Sequence, residues 1–220
     1  MDKVILFGVG QVASRIYWYL TYDSPYEVAA FTVDPEYIKA DKLFGLPVVS
    51  FEDVESIYPP EEYKMFLSIS SRKMNKLRAQ KYHQAKEKGY QLINYISSRA
   101  TTWPGLTIGD NCHIQTNSII EPFAEIGNDV ILGTNTLVSH NAVVKDHCFV
   151  AHQSVILGNV VVEPYCFIGA NATIRDHVKI ATECVIGAGA LILEDTQERG
   201  VYKGNPAQLL PISSDKLRSI

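Results

Sequence analysis

From Ile108 onward an aliphatic residue returns at every sixth position. The series runs Ile108, Ile114, Ile120, Ile126, Leu132, Val138, Val144, Val150, Ile156, Val162, Ile168, Ile174, Ile180, Ile186 and Ile192, with no break in register. Four residues after each of these but the last comes a second restricted position. It reads Cys112, Ser118, Ala124, Val130, Thr136, Ala142, Cys148, Ser154, Val160, Cys166, Ala172, Val178, Cys184 and Ala190, all small or β-branched. A helix of period 3.6 cannot hold a strict six, and a half-buried strand alternates in twos. Period six means one short strand and one turn, so three such units close a triangular coil of about eighteen residues. Both restricted positions then point inward and stack on their equivalents one coil away. All four cysteines fall on the small position, where free Cys serves as a compact core filler. None stands in a C-x-x-C pair, so neither a zinc ribbon nor a redox motif is expected.

Residues 1–97 have a different texture. Val4–Phe7 reads as a buried strand, followed by Gly8-Val9-Gly10-Gln11 and a helical stretch from Val12 to Leu20. Further strands are expected at Glu27–Phe31, Met65–Ile69 and Leu92–Ile96, with a polar helix over Ser71–Lys88. Strands alternating with helices imply a small parallel sheet, a half-Rossmann unit. Gly8 and Gly10 stand between a strand and a helix, where free backbone N–H groups suit a phosphate. The third glycine of a dinucleotide fingerprint is absent, its place taken by Ala13. The fold class expected is α/β plus all-β: a Rossmann-like domain over 1–97, then a left-handed parallel β-helix over 98–220.

The net charge of −4 argues against a nucleic-acid partner, which calls for a basic surface. No apolar run approaches the roughly 18 residues of a membrane span. Val4–Phe7 follows the N-terminus without a basic region or a cleavage site, so a signal peptide is not expected and a cytoplasmic location is.

The six-residue pattern resembles the hexapeptide repeat of left-handed β-helix acyltransferases. Joined to a Rossmann-like domain, it is similar to the sialic acid O-acetyltransferases and the bacterial amino-sugar N-acetyltransferases of surface-glycan biosynthesis. That resemblance implies acetyl-CoA as co-substrate, a small-molecule sugar acceptor, a homotrimer and no metal. In the family the first domain holds a nucleotide-linked sugar through a glycine-rich turn and an acidic pair. Gly8, Gly10 and Gln11 match the turn; Asp34 matches one acid, and Val33 stands in place of the other.

The family's catalytic histidine follows a β-helix strand on an external turn, and Val138-Ser139-His140-Asn141 matches that place. His140 lies two residues past an inward aliphatic, so it faces outward, within reach of an acceptor. The resemblance implies that it is the general base. The helper acid that often adjoins it is missing, since Ser139 and Asn141 flank it, leaving Glu121 and Glu125 as candidates about one coil back. Position 158 stacks beyond 140; the family uses a glycine there as oxyanion donor, and Gly158, followed by Asn159, matches. Ala170, Gly187 and Ala188 match small positions where the family threads pantetheine. Val201 to Ala207 matches its closing motif at the adenine end of CoA, with Lys203 available to a phosphate and Pro206 in the terminal turn.

Two other readings compete. The β-helix of γ-class carbonic anhydrases binds zinc through three histidines. His147 and His152 have the spacing of two such ligands, but the expected third position is Asn111. A non-catalytic scaffold would leave His140 and Gly158 in coil phase by coincidence.

Overall fold

The computed structural model describes residues 1–205. The N-terminal domain is a five-stranded sheet: β1 (Asp2–Phe7), β2 (Tyr26–Val33), β3 (Lys42–Leu43), β4 (Leu46–Ser50) and β5 (Tyr63–Leu67), in the order β3-β4-β2-β1-β5. All pairs are parallel except β3 with β4. Helix α1 (Gln11–Tyr22) packs through Ala13, Ile16 and Leu20, the one-face spacing of an amphipathic helix. A short helix α2 (Val54–Ile57) and helix α3 (Lys76–Glu87) complete the domain. The β3–β4 hairpin was not legible in the pattern. The expected fourth strand at Leu92–Ile96 is corrected: Leu92 makes a single bridge to Met65, and Tyr95–Ile96 joins the β-helix instead. The intervening backbone turns away because Asn94 spends its side chain on Gly109 and Cys112 of the first coil.

Beyond it the chain winds into a left-handed parallel β-helix of two-residue strands on three faces. The first face holds Thr107–Ile108, Glu125–Ile126, Val143–Val144, Val161–Val162 and Lys179–Ile180. The second holds Tyr95–Ile96, His113–Ile114, Ile131–Leu132, Phe149–Val150, Phe167–Ile168, Val185–Ile186 and Val201–Tyr202. The third holds Ile119–Ile120, Leu137–Val138, Val155–Ile156, Thr173–Ile174 and Leu191–Ile192. Each strand up to Leu191–Ile192 pairs with the one eighteen residues before it where the face has one, as Val138 does with Ile120 and Ile156 with Val138, and Val201–Tyr202 closes the second face sixteen residues after Val185–Ile186.

Both restricted positions fill one continuous core, from Cys112 and Ile114 to Ala190 and Ile192. The small position is also polar where polarity is useful. Cys112, Cys148, Cys166 and Cys184 donate Sγ–H to the carbonyls of Gly127, Glu163, Ala181 and Gln197 at 3.0–3.1 Å. Ser118 and Ser154 do the same to Gly133 and Gly169 at 2.9 Å. For the carbonyls of Gly127, Glu163 and Ala181 these are the donors inside the prism, and buried carbonyls call for one; Gly133, Gly169 and Gln197 accept a backbone N–H as well. The corners impose a second period: from Asn111 to Glu183 every sixth residue has φ between 54° and 65°. Six of these thirteen are Asn, the non-glycine residue that tolerates the left-handed region best.

The domains meet along the first corner, the one following the first face. Asn111 Oδ1 accepts the Leu67 N–H, Tyr82 donates to Asp110, and Lys76 pairs with Glu183. Asp23, at the end of α1, accepts from Tyr95 and Ser97 beside the second face.

Candidate functional site

His140 stands on the third corner, between the third and first faces, and is exposed as expected. Its backbone N–H donates to Glu121 Oε2 at 2.8 Å, and its ring nitrogens have no hydrogen-bond partner among the described residues. Glu121 therefore holds the turn, not the imidazole. Glu125 lies exposed in a first-face strand and forms no hydrogen bond to His140 among the described residues.

The His140 ring lies directly over Gly158. A Cβ at that position would stand 2.7 Å from Cε1 and 2.9 Å from Nε2. The glycine is thus required to clear the imidazole as well as to leave its own backbone open. At some equivalent corner positions the amide is capped: Asn128 N–H donates to Asp146, Thr134 N–H to His152 Nδ1, and His140 N–H to Glu121. Gly158 is a buried residue whose N–H forms no hydrogen bond among the described residues. A cleft of about 450 Å³ opens here, lined by Glu121, Ser139, His140, Leu157, Gly158, Asn159, Asp176 and His177. Asp176 and His177 were missed in the sequence, although a further step of eighteen from Gly158 leads to them.

Asn159 lies on this corner too. It carries φ 58° and donates its N–H to the His140 carbonyl, so it also fixes the turn. Ala170, Gly187, Ala188 and Lys203 do not join His140 within one chain. They cluster on the second corner, between the second and third faces. Gly189 donates to Ala170 there, and Gly187 packs within 3.4 Å of the Lys203 backbone, measured from a notional Cβ. Lys203 is exposed and forms no ion pair among the described residues. Pro206 lies outside the described residues.

A second cavity, of about 950 Å³, opens in the N-terminal domain between the starts of α1 and α3. Gly10, Gln11 and Asp34 line it, with Ser68, Ser70, Arg72, Gln80 and Lys81. Gly10 caps α1 without a side-chain hydrogen bond, and the helix's own first bond is Ser14 N–H to Gly10. The N–H groups of Gln11, Val12 and Ala13 therefore carry the positive end of α1 with no intrahelical acceptor. Gly8 is not in the lining. It has φ 117°, and a Cβ would meet Ser68 Oγ at 2.6 Å, so its glycine serves the tight strand-to-helix turn. Asp34 is not free: Lys81 donates to it at 2.5 Å.

The histidines of the zinc reading are otherwise engaged. His147 is buried, with Nδ1 2.9 Å from Asp129 and its ring stacked on Tyr165 at 5.0 Å. His152 Nδ1 accepts the Thr134 N–H at 2.9 Å. Among the described residues no three His, Cys, Asp or Glu groups converge on a metal position.

Residues 105–194 match the family model for the bacterial transferase hexapeptide (six repeats). No curated protein matches the sequence. Among solved structures, a histidine-to-asparagine mutant of perosamine N-acetyltransferase from Caulobacter crescentus, in complex with CoA and GDP-perosamine, is 23% identical. Its TM-score is 0.82 over 94% of this chain and 96% of that one. The acetyltransferase domain of PglB from Neisseria gonorrhoeae, in complex with acetyl coenzyme A, is 20% identical at TM-score 0.80, covering 95% and 99%. WeeI from Acinetobacter baumannii is 19% identical at TM-score 0.72, covering 94% and 99%. The shared feature is the fold along essentially the whole chain, a Rossmann-like domain followed by the left-handed β-helix.

Proposed function

We propose that this chain is an acetyl-CoA-dependent acetyltransferase acting on an amine or hydroxyl of a sugar, most simply a nucleotide-linked amino sugar of surface-glycan biosynthesis. The observation that carries this reading is an unpartnered imidazole, His140, lying over Gly158, whose N–H also has no hydrogen-bond partner among the described residues. Acyl transfer from a thioester needs a base, an oxyanion donor and a slot that brings donor and acceptor together. His140 takes the proton from the attacking amine or hydroxyl as its lone pair bonds to the thioester carbon. The N–H of Gly158 holds the carbonyl oxygen as negative charge develops. Collapse restores the C=O, breaks the C–S bond and passes the proton from His140 to the departing sulfur. Glu121 and Asp176 line the cleft and no Lys or Arg does, which suits an amino sugar that approaches as the ammonium, gives up one proton to solvent, and then attacks as the neutral amine.

Residues 1–97 hold the acceptor. The 950 Å³ cavity has room for a nucleotide-linked sugar, and Gly10, Gln11 and the first turn of α1 offer N–H donors to its phosphates. Asp34 acts through its ion pair with Lys81, and Gly8 through the turn. Residues 98–220 bind the donor, with Asn159, Ala170, Gly187, Ala188 and Lys203 along its path. Those groups occupy two different corners, so a complete donor slot joins the third corner of one subunit to the second corner of another. A homotrimer supplies that geometry. Ile119, Leu191 and Leu193 are exposed on or beside the third face, the apolar surface such packing buries.

The test is thiol release from acetyl-CoA with UDP-, GDP- and dTDP-linked amino sugars and their hydroxyl counterparts. One amine should turn over, and His140→Ala should lower kcat by roughly 10²–10⁴ while CoA still binds. No heat on CoA titration, or near-normal turnover by His140→Ala, would remove the reading. Light scattering should report three chains of 24.5 kDa, and a monomer would remove the two-corner slot.

A further inference from the structure

Among the described residues the most heavily bonded side chain lines neither cavity. Arg78, on α3, is fully buried. Its Nε donates to Asp129 Oδ2 at 3.0 Å. One terminal nitrogen donates to Ser70 O at 3.3 Å and Asn75 Oδ1 at 3.0 Å. The other reaches the carbonyls of Asp129 and His147 at 3.0 Å, and of Cys148 at 3.3 Å. Asp129 is equally buried and shares its carboxylate with Asn111 Nδ2 at 2.7 Å and His147 Nδ1 at 2.9 Å.

A buried ion pair is a poor way to gain stability, because apolar side chains of similar volume often do as well. What it adds is direction: a planar fork bonded on every side admits one orientation. The elements it fixes are the walls of the N-terminal cavity. Leu77, Gln80 and Lys81 of α3 line that cavity, as does Ser70, whose carbonyl Arg78 grips. The opposite end of the fork holds backbone of two successive β-helix coils, at Asp129 and at His147–Cys148.

We infer that Arg78 and Asp129 are positioning residues for the acceptor. They lock the cavity wall onto the prism and so set where the acceptor's reacting group emerges. The inference rests on the acetyltransferase reading above. A misplacement of about 1 Å at a reacting centre costs on the order of 10²-fold in rate, although neither residue touches the chemistry.

The experiment uses the full-length protein and the nucleotide-linked sugar that wild type acetylates best. Arg78→Lys should lower kcat/KM for that sugar by about 10–10². The CoA dissociation constant and the slow hydrolysis of acetyl-CoA without acceptor should stay within about twofold, since the third corner is untouched. A second variant, Asp129→Asn, removes the charge while keeping the side chain's shape and a residue that tolerates the left-handed corner, where φ is 56°. It should fold with a transition close to that of wild type yet leave kcat/KM for the sugar low. Normal acceptor kinetics in either folded variant overturns the inference. So does failure of both to fold, which would make the pair an ordinary stability element. Wild type inactive with every acceptor would instead overturn the enzyme reading itself.

Discussion

Replacing Gly158 by alanine probes the catalytic corner with a single methyl group. The notional Cβ stands 2.7, 2.9 and 3.4 Å from Cε1, Nε2 and Nδ1 of His140, and no other atom is nearer. Gly158 is not among the positive-φ glycines, so alanine fits the backbone. The obstacle is then only the end of a side chain, which rotates away at a cost of about 0.5–1.5 kcal/mol. Lost freedom of the unfolded chain returns about 0.4–1 kcal/mol. The melting temperature should therefore move by no more than about 4 °C. Activity should not survive so well, because a base turned out of line forfeits much of its roughly 10²–10⁴ contribution. In a His140→Ala background the ring is gone, so Gly158→Ala should then stabilise by about 0.4–1 kcal/mol. The activity losses should not multiply, because both substitutions remove the same group. Gly133 is the control. Its Cβ would meet backbone, His152 N at 2.6 Å and Ala151 C at 2.8 Å, so Gly133→Ala should cost about 1–3 kcal/mol of stability. The measurements are kcat from thiol release and thermal unfolding of the four proteins. Full activity in Gly158→Ala, or multiplicative losses in the double variant, would refute the ring-over-glycine geometry.

Other outcomes follow from buried groups. His113 lies between the domains with no partner for Nε2, and burial first, then the charges of Arg15 and Arg78, hold its pKa down to about 3. An imidazole held neutral in the fold but titrating near 6.5 when unfolded costs stability as pH falls below about 6.5, by about 2 kcal/mol at pH 5. Urea unfolding of His113→Phe should lose that slope; an unchanged pH dependence would exclude His113 as its source. All four cysteines are buried and free, and burial pushes the Cys112 thiol up to about 12. A thiol reagent should find no fast-reacting group in the native protein and four in denaturant, and one rapid native equivalent would contradict the packing. Glu121→Ala should lower kcat by roughly 10–10² with CoA affinity unchanged, since a hydrogen bond to a carboxylate is worth about 1.5–3 kcal/mol; an equal rise in KM for CoA would show the donor slot disturbed instead.

The β-helix was legible residue by residue. Ile108 to Ile192 recur at six because each coil presents the same inward slots, and a slot that admits only small or branched side chains writes itself into the chain. The column joining His140 to Gly158 followed from the same arithmetic, as did the outward aim of His140. What the period could not carry was anything off the prism's own axis. Arg78 reads as one more cation on a polar helix, and only docking of α3 against the first corner buries it on Asp129. Asp34 reads as a free carboxylate until Lys81, forty-seven residues on, is folded against it. Tyr95–Ile96 reads as a strand of the first domain, but its hydrogen bonds go to His113–Ile114 of the second. Nor does a repeat say which of three corners faces which ligand. The division of the proposed site between the second and third corners emerges only once the strands are assigned to faces. A local period records the environment each residue meets in its own coil, whereas contacts between domains join residues whose spacing has no period at all.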